Sequence, residues 1–225
     1  MGHWVLSGPQ FSAAWARTGQ DRIPYPFKVT STLATAGEYE AEQGRIRSDF
    51  SGPEHDPLAS ALLVLAEPDL RIEISGSQGS TSMRLIGALA RGHGVAAVQH
   101  PGGEVVIRSC EPYDVGRQLI AQLPDTDAGT RRGVVVDRAA AGHRQAAVAR
   151  ILDRPSTGQG VVTVVRGARH SPRPAGGGLA WRDIEGDGRY LVWGDTAVAV
   201  EPGTSWDLLD TVTRLTGRIA AGHPV

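Results

Sequence analysis

The 225-residue sequence is poor in several things that would assign a class outright. It has one cysteine, Cys110, so no disulfide can form within the chain and nothing points to an oxidising compartment. Its longest apolar stretch, around Leu58 to Ala66, is about ten residues, half of what a membrane-spanning helix needs. Lys28 is the only lysine among 23 basic residues, and 24 acidic ones leave a formal charge of −1. A general nucleic-acid binder needs excess positive charge to displace counterions, and this chain has none. The opening, MGHWVLSGPQ, lacks the basic segment and apolar run of a secretory signal. A soluble cytoplasmic protein without membrane insertion is the expectation, from a GC-rich genome judged by arginine, alanine and glycine usage.

Catalytic and metal-binding patterns are also missing. No two of the seven histidines have the i, i+4 spacing of a helical metal site. Asp183-Ile184-Glu185-Gly186-Asp187-Gly188 starts like a calcium loop, but the twelfth position, which must close the coordination shell, is Gly194. Gly76-Ser77-Gln78-Gly79-Ser80-Thr81 is rich in glycine and hydroxyls, yet lacks a Walker lysine and precedes a strand. There is no G-x-S-x-G elbow, C-x-x-C pair or dinucleotide fingerprint. The expectation is a binding protein with no catalytic residues, no metal and no cofactor. Two alternatives remain: an enzyme or small-molecule binder with a site assembled on the sheet around His93 and Asp187, and a nucleic-acid adaptor using the 166–173 arginine loop (Arg166, Arg169, Arg173, with His170).

What is present is a clear order of elements. Ser7 with Gln10 and Thr35 with Glu38 have capping-box spacing and predict helices over 8–18 and 36–48. A short strand is expected through Val29. Asp56-Pro57 opens a helix that is apolar nearly all round (Leu58, Leu62, Leu63, Leu65), and such a helix is buried. Leu70, Ile72 and Ile74 alternate with Arg71, Glu73 and Ser75, which predicts a strand with one buried and one wet face. A loop from Gly76 to Ser82 follows, then strands at 83–90, 95–100 and 104–110, separated by glycine and proline turns, and a helix over 113–123. The second half repeats the order: helix 139–152, strands 160–166, 179–184, 189–193 and 196–200, and a helix over 204–219 capped by Thr204.

Local matches support a duplication. Gly92-His93-Gly94 corresponds to Gly186-Asp187-Gly188, Val98 to Val192, Glu111-Pro112 to Glu201-Pro202, and Leu119 to Leu209. The fold class read from this is α+β: a single domain over 1–225 with pseudo-repeat halves at about 50–125 and 135–222, a largely antiparallel sheet, and a mobile loop at about 167–178. Trp181 and Trp193 read as core residues. Trp206 lies off the apolar stripe of the last helix and is a candidate anchor for a partner.

Four segments carry a family resemblance. They are LSGPQFSAAWARTG followed by Pro24-Tyr25-Pro26-Phe27, then Thr35-Ala36-Gly37-Glu38, then LLVLAEPDLRIEI continuing through Ala90-Arg91-Gly92 to Val98, and finally Asp187-Gly188-Arg189-Tyr190-Leu191-Val192 with Val200-Glu201-Pro202. In this order the chain resembles the EspG family, the ESX secretion-associated proteins of actinobacteria. The resemblance implies a cytosolic, non-enzymatic chaperone of type VII secretion that binds PE–PPE heterodimers and serves the ESX machinery. It also implies a pseudo-twofold antiparallel sheet and a partner docking on the loop after the central helix and on a C-terminal helical bundle. Here those are Gly76 to Ser82, with Ser77, Gln78, Gly79 and Ser80 as contact residues, and the helices near 139–152 and 204–219, with Trp206. A weak homodimer stays open.

Overall fold

A computed structural model describes residues 2–137, 143–167 and 176–222. In chain order the elements are β1 (His3–Leu6), α1 (Gly8–Ala16), α2 (Ala36–Asp49), α3 (Asp56–Ala66), β2 (Leu70–Gln78), β3 (Thr81–Ala90), β4 (His93–Gln99), β5 (Val105–Cys110), α4 (Val115–Ile120), β6 (Val134–Asp137), α5 (His143–Leu152), β7 (Ser156–Arg166), β8 (Gly176–Ile184), β9 (Gly188–Trp193), β10 (Ala197–Pro202) and α6 (Ser205–Ala220). This is an α+β chain with antiparallel ladders. It divides into two compact units. The first holds 2–73 and 84–115. The second holds the tip of the β2–β3 hairpin, 74–83, with 116–165 and 176–222.

The first unit is a meander to which β1 adds, with β5 between β1 and β4. Both capping boxes form: Ser7 accepts from Gln10 N–H and Thr35 from Glu38 N–H, each answered by the partner side chain. Phe11, Trp15, Phe27, Phe50, Leu58, Leu62 and Leu65 pack on a sheet face made by Ile86, Ala88, Val95, Ala97, Val105 and Ile107. Each large side chain buried this way contributes about 1.5–3 kcal/mol. Phe11 stacks on Trp15 at 5.8 Å and meets Phe27 edge-on at 5.6 Å.

Three expectations for this unit are corrected. No strand forms through Val29. There the Gln99 side chain takes the place of a neighbouring strand, accepting from Lys28 N–H (2.8 Å) and donating to Lys28 O (2.7 Å). Arg71 and Glu73 are not wet but buried, and their side chains pair at 2.8 Å. Helix α3 is not buried all round: Leu63 is 47% exposed.

In the second unit β8 pairs with β7 and β9, and β10 with β9 and β6. Val148 and Ile151 of α5 pack with Ile184, Tyr190 and Val200. Helix α6 buries Leu208, Val212, Leu215 and Ile219 along one stripe, and Thr204 caps it in a box closed by Asp207. The strands β1 and β6 were not foreseen; both are four residues long and pair with the last strand of a meander. The segment expected over 113–123 is a 3₁₀ turn, Pro112–Asp114, followed by the short α4. Residues 139–142 and 168–175, with Arg169, His170 and Arg173, lie outside the described residues.

Candidate partner-binding site

All five sequence-predicted contact residues fall in the second unit. The expected loop from Gly76 to Ser82 is shorter than its composition suggested. Strand β2 runs to Gln78 and β3 starts at Thr81, so only Gly79 and Ser80 form the turn. Gly79 adopts φ +54°, open to glycine without strain. Ser77 and Gln78 are half-buried strand residues, whereas Gly79 and Ser80 are exposed.

This tip is not a free loop. Gly79 N–H donates to Thr157 O (2.7 Å), which fastens it to the start of β7. Close packing continues inward. A Cβ on Gly158 would lie 2.2 Å from Gln78 Oε1 and 2.9 Å from Asp183 Oδ2. A Cβ on Gly76 would strike Gln159 O at 2.4 Å, and one on Gly160 the Trp181 ring at 2.1 Å. The glycines that looked like loop composition serve close backbone approach around a buried tryptophan.

Below the tip lies an ion pair whose members sequence reasoning had not singled out as partners. Asp183 and Arg189 face each other across the β8–β9 ladder. Both are buried, Arg189 completely. The guanidinium grips the carboxylate with two bonds, Nε to Oδ1 at 2.7 Å and Nη2 to Oδ2 at 3.0 Å. Its remaining donors reach Ser205 Oγ (2.8 Å), Pro124 O (2.9 Å) and Thr126 Oγ1 (3.3 Å). Removing one partner of such a pair leaves an uncompensated buried charge and destabilises by about 3–5 kcal/mol. Ser205 opens α6, and the next residue is Trp206, 74% exposed in the first helical turn. A chain of contacts therefore connects the hairpin tip, through Gly158 and the Asp183–Arg189 pair, to the start of α6.

A second network clamps the β8–β9 turn. The Asp187 carboxylate accepts from Thr130 N–H and Oγ1 (both 2.8 Å), from Tyr190 OH (3.1 Å) and from Arg154, with Arg131 Nε at 3.7 Å. The Thr130 N–H bond, foremost, holds this carboxyl far below its ordinary range, against the opposing effect of burial. Burial pushes the Tyr190 hydroxyl upward. Asp187 is thus committed to donors on several sides and has no geometry of a free catalytic base. The cap bond from Thr204 N–H likewise lowers Asp207.

The EspG family model matches residues 7–214. This chain belongs to the EspG family. The match spans residues of both units. Among solved structures, the fold is similar to the Mycobacterium tuberculosis type VII secretion system chaperone EspG5, determined in complex with a PE25–PPE41 dimer. The TM-score is 0.64 at 13% identity, with 96% of each chain covered. No curated protein matches the sequence. The DGRYLV segment that carried the resemblance is now accounted for physically. In this EspG protein Asp187, Arg189 and Tyr190 hold segment 124–131 and the start of α6, with Arg189 and Tyr190 fully buried.

Proposed function

We propose that this EspG protein is a type VII secretion chaperone that binds a PE–PPE heterodimer, keeps it soluble and directs it to the ESX machinery. The observation that carries the reading is the family match over 7–214, joined to a fold shared along 96% of the chain with a chaperone bound to such a dimer. A long helical substrate with an exposed apolar tip would aggregate unless that tip is covered. The partner surface comprises Ser77, Gln78, Gly79, Ser80 and Trp206. The exposed Gly79-Ser80 turn offers hydrogen bonds at low ordering cost, and Trp206 offers a large apolar contact. The role is non-enzymatic and cytoplasmic, and among the described residues no helix is long and apolar enough to cross a membrane.

The finer architecture belongs to the same reading. The halves at about 50–125 and 135–222 are a duplication, supported by a helix, a four-stranded meander and a helix in the same order in each. The two extra strands add support, since β1 pairs with β5 and β6 with β10, each the last strand of its meander. Helices α5 and α6 contribute to the C-terminal bundle, and the whole chain acts as one chaperone module.

The test is capture of a co-expressed PE–PPE pair by the tagged protein. A stoichiometric complex is expected with the wild type, and its absence overturns the chaperone reading. Trp206→Ala should weaken capture by about 30-fold or more, the scale of a hot-spot residue, and a Ser77→Asp/Ser80→Asp variant should also weaken it. Unchanged affinity in folded variants, with wild-type capture intact, overturns the site and leaves the chaperone role standing.

A further inference from the structure

The Asp187 carboxylate lies at the base of an arginine cluster in the second unit. Arg131 Nε stands 3.7 Å from Asp187 Oδ2, and Arg154 Nη1 donates to the same oxygen. Two guanidinium groups therefore converge on one carboxylate oxygen. That oxygen also accepts from Tyr190 OH, and Thr130 occupies the other one, so the buried Asp187 is saturated. The two arginines reach solvent, with side chains 48% and 30% exposed.

Acceptors are scarce around them. Each guanidinium carries five N–H donors. Beyond Asp187, and among the described residues, the Arg131 side chain reaches only Arg150 O at 3.4 Å, and the Arg154 side chain reaches no other acceptor. Arg182, whose Nη2 donates to Arg154 O at 3.4 Å, has a buried Nε without a hydrogen-bond partner. The neighbouring acids Asp153 and Glu185 are exposed and pair with none of these arginines. Like charges this close repel one another, and one carboxylate cannot neutralise two of them.

We infer that Arg131 and Arg154 form a binding site for a phosphate group, with Asp187 as the positioning residue that holds them side by side. The argument is donor geometry and charge. A phosphate spreads its oxygens around one centre, so two guanidinium forks can take it together, whereas a carboxylate presents two oxygens in one plane to one fork. Its charge offsets the surplus that Asp187 leaves. Bound there, it joins segment 124–131 to the turn that follows α5. None of these residues belongs to the proposed PE–PPE surface, and the site stands whether or not that surface does.

The test is direct binding to the full chain at constant ionic strength. Inorganic phosphate and pyrophosphate are followed by calorimetry, and vesicles of phosphatidylglycerol and phosphatidylcholine by co-sedimentation. Saturable binding is expected from at least one source. The soluble probes alone mark a free phosphate compound; retention on phosphatidylglycerol vesicles, but not on pure phosphatidylcholine, marks a lipid headgroup. Arg154→Lys keeps the charge beside Asp187 but loses the fork, and Arg131→Gln changes a half-exposed side chain. Each should weaken binding by about tenfold or more, and the Arg131 variant carries the test if the Arg154 change lowers the melting temperature. Arg45→Gln, at a more exposed arginine of the first unit, should leave binding within about twofold. No saturable binding to any probe, unchanged binding in the folded Arg131 variant, or equal loss in Arg45→Gln overturns the inference. So does a glutamate-rich peptide that binds more tightly than every phosphate probe.

Discussion

The turn between β3 and β4 and the turn between β8 and β9 occupy the same place in the proposed repeat, and the two are treated in opposite ways. In the first, His93 is exposed and the strand continues with buried Val95 and Ala96. In the second, the corresponding residues are Asp187, Arg189 and Tyr190, all bound to segment 124–131. One copy of the motif closes on apolar packing and leaves its tip to solvent. The other swaps in charged groups and uses them to tie down a connecting segment and the first turn of α6. Apolar packing tolerates sliding and side-chain exchange. A bidentate ion pair with three further bonds admits one arrangement only, which suits the unit that holds the proposed partner surface.

The sharpest way to break this contrast is Arg189→Met. It strands the Asp183 carboxylate, and the expected loss is about 3–5 kcal/mol in urea denaturation. The double change Asp183→Leu/Arg189→Met should recover much of that loss, because an apolar pair there approaches the Val95 solution of the first unit. A double variant as unstable as the single would mean that the bonds to Pro124, Thr126 and Ser205, rather than the ion pair, dominate.

Asp187→Asn is next, at about 1–3 kcal/mol, from weakened charged hydrogen bonds to Arg154 and Thr130. Its pH dependence has a definite sign. The folded-state pKa of Asp187 lies below its ordinary value of 3.8, so its contribution is complete above that value. The contribution is lost as pH falls towards the folded pKa. Wild type and Asp187→Asn should therefore converge in stability on acidification, read as melting temperature against pH. His93→Asn, the matching change in the first unit, should leave stability within about 0.5 kcal/mol, as an exposed substitution does. Thr204→Ala should cost about 1 kcal/mol through loss of the α6 cap, measured by thermal unfolding, more than the exposed His93→Asn change. If the capped first turn of α6 positions Trp206, whose N–H donates to Thr204 Oγ1, as the proposed site requires, the Thr204 variant should also weaken PE–PPE capture, while a cap mutation at Ser7 should not.

The pair that organises the candidate site was partly legible. Asp183 and Arg189 stand symmetrically about Gly186, the centre of a turn readable from Glu185-Gly186-Asp187-Gly188, so opposite charges had to face each other across the hairpin. Their burial was not legible, because the residues that enclose them, Pro124, Thr126 and Ser205, are remote in sequence. The hairpin tip was misjudged for a related reason. Glycine at 76 suggested a loop, but its use is to admit Gln159 O and the Trp181 ring, about a hundred residues further on.

Local chemistry determined much of this protein by itself. Capping side chains reach only three residues, so Ser7, Thr35 and Thr204 marked helix starts from sequence alone. Period-two alternation and glycine turns marked the meander strands, and a set of short motifs in order marked the family. The tertiary structure decided the rest. Strands β1 and β6 exist only because β5 and β10 offer them an edge, since four residues carry no periodicity of their own. Alternation set the two faces of β2 apart, but only packing decided that Arg71 and Glu73 would be enclosed. It likewise left Leu63 and Trp206 in solvent. Burial depends on which remote segments arrive to cover a face, and no local pattern encodes that.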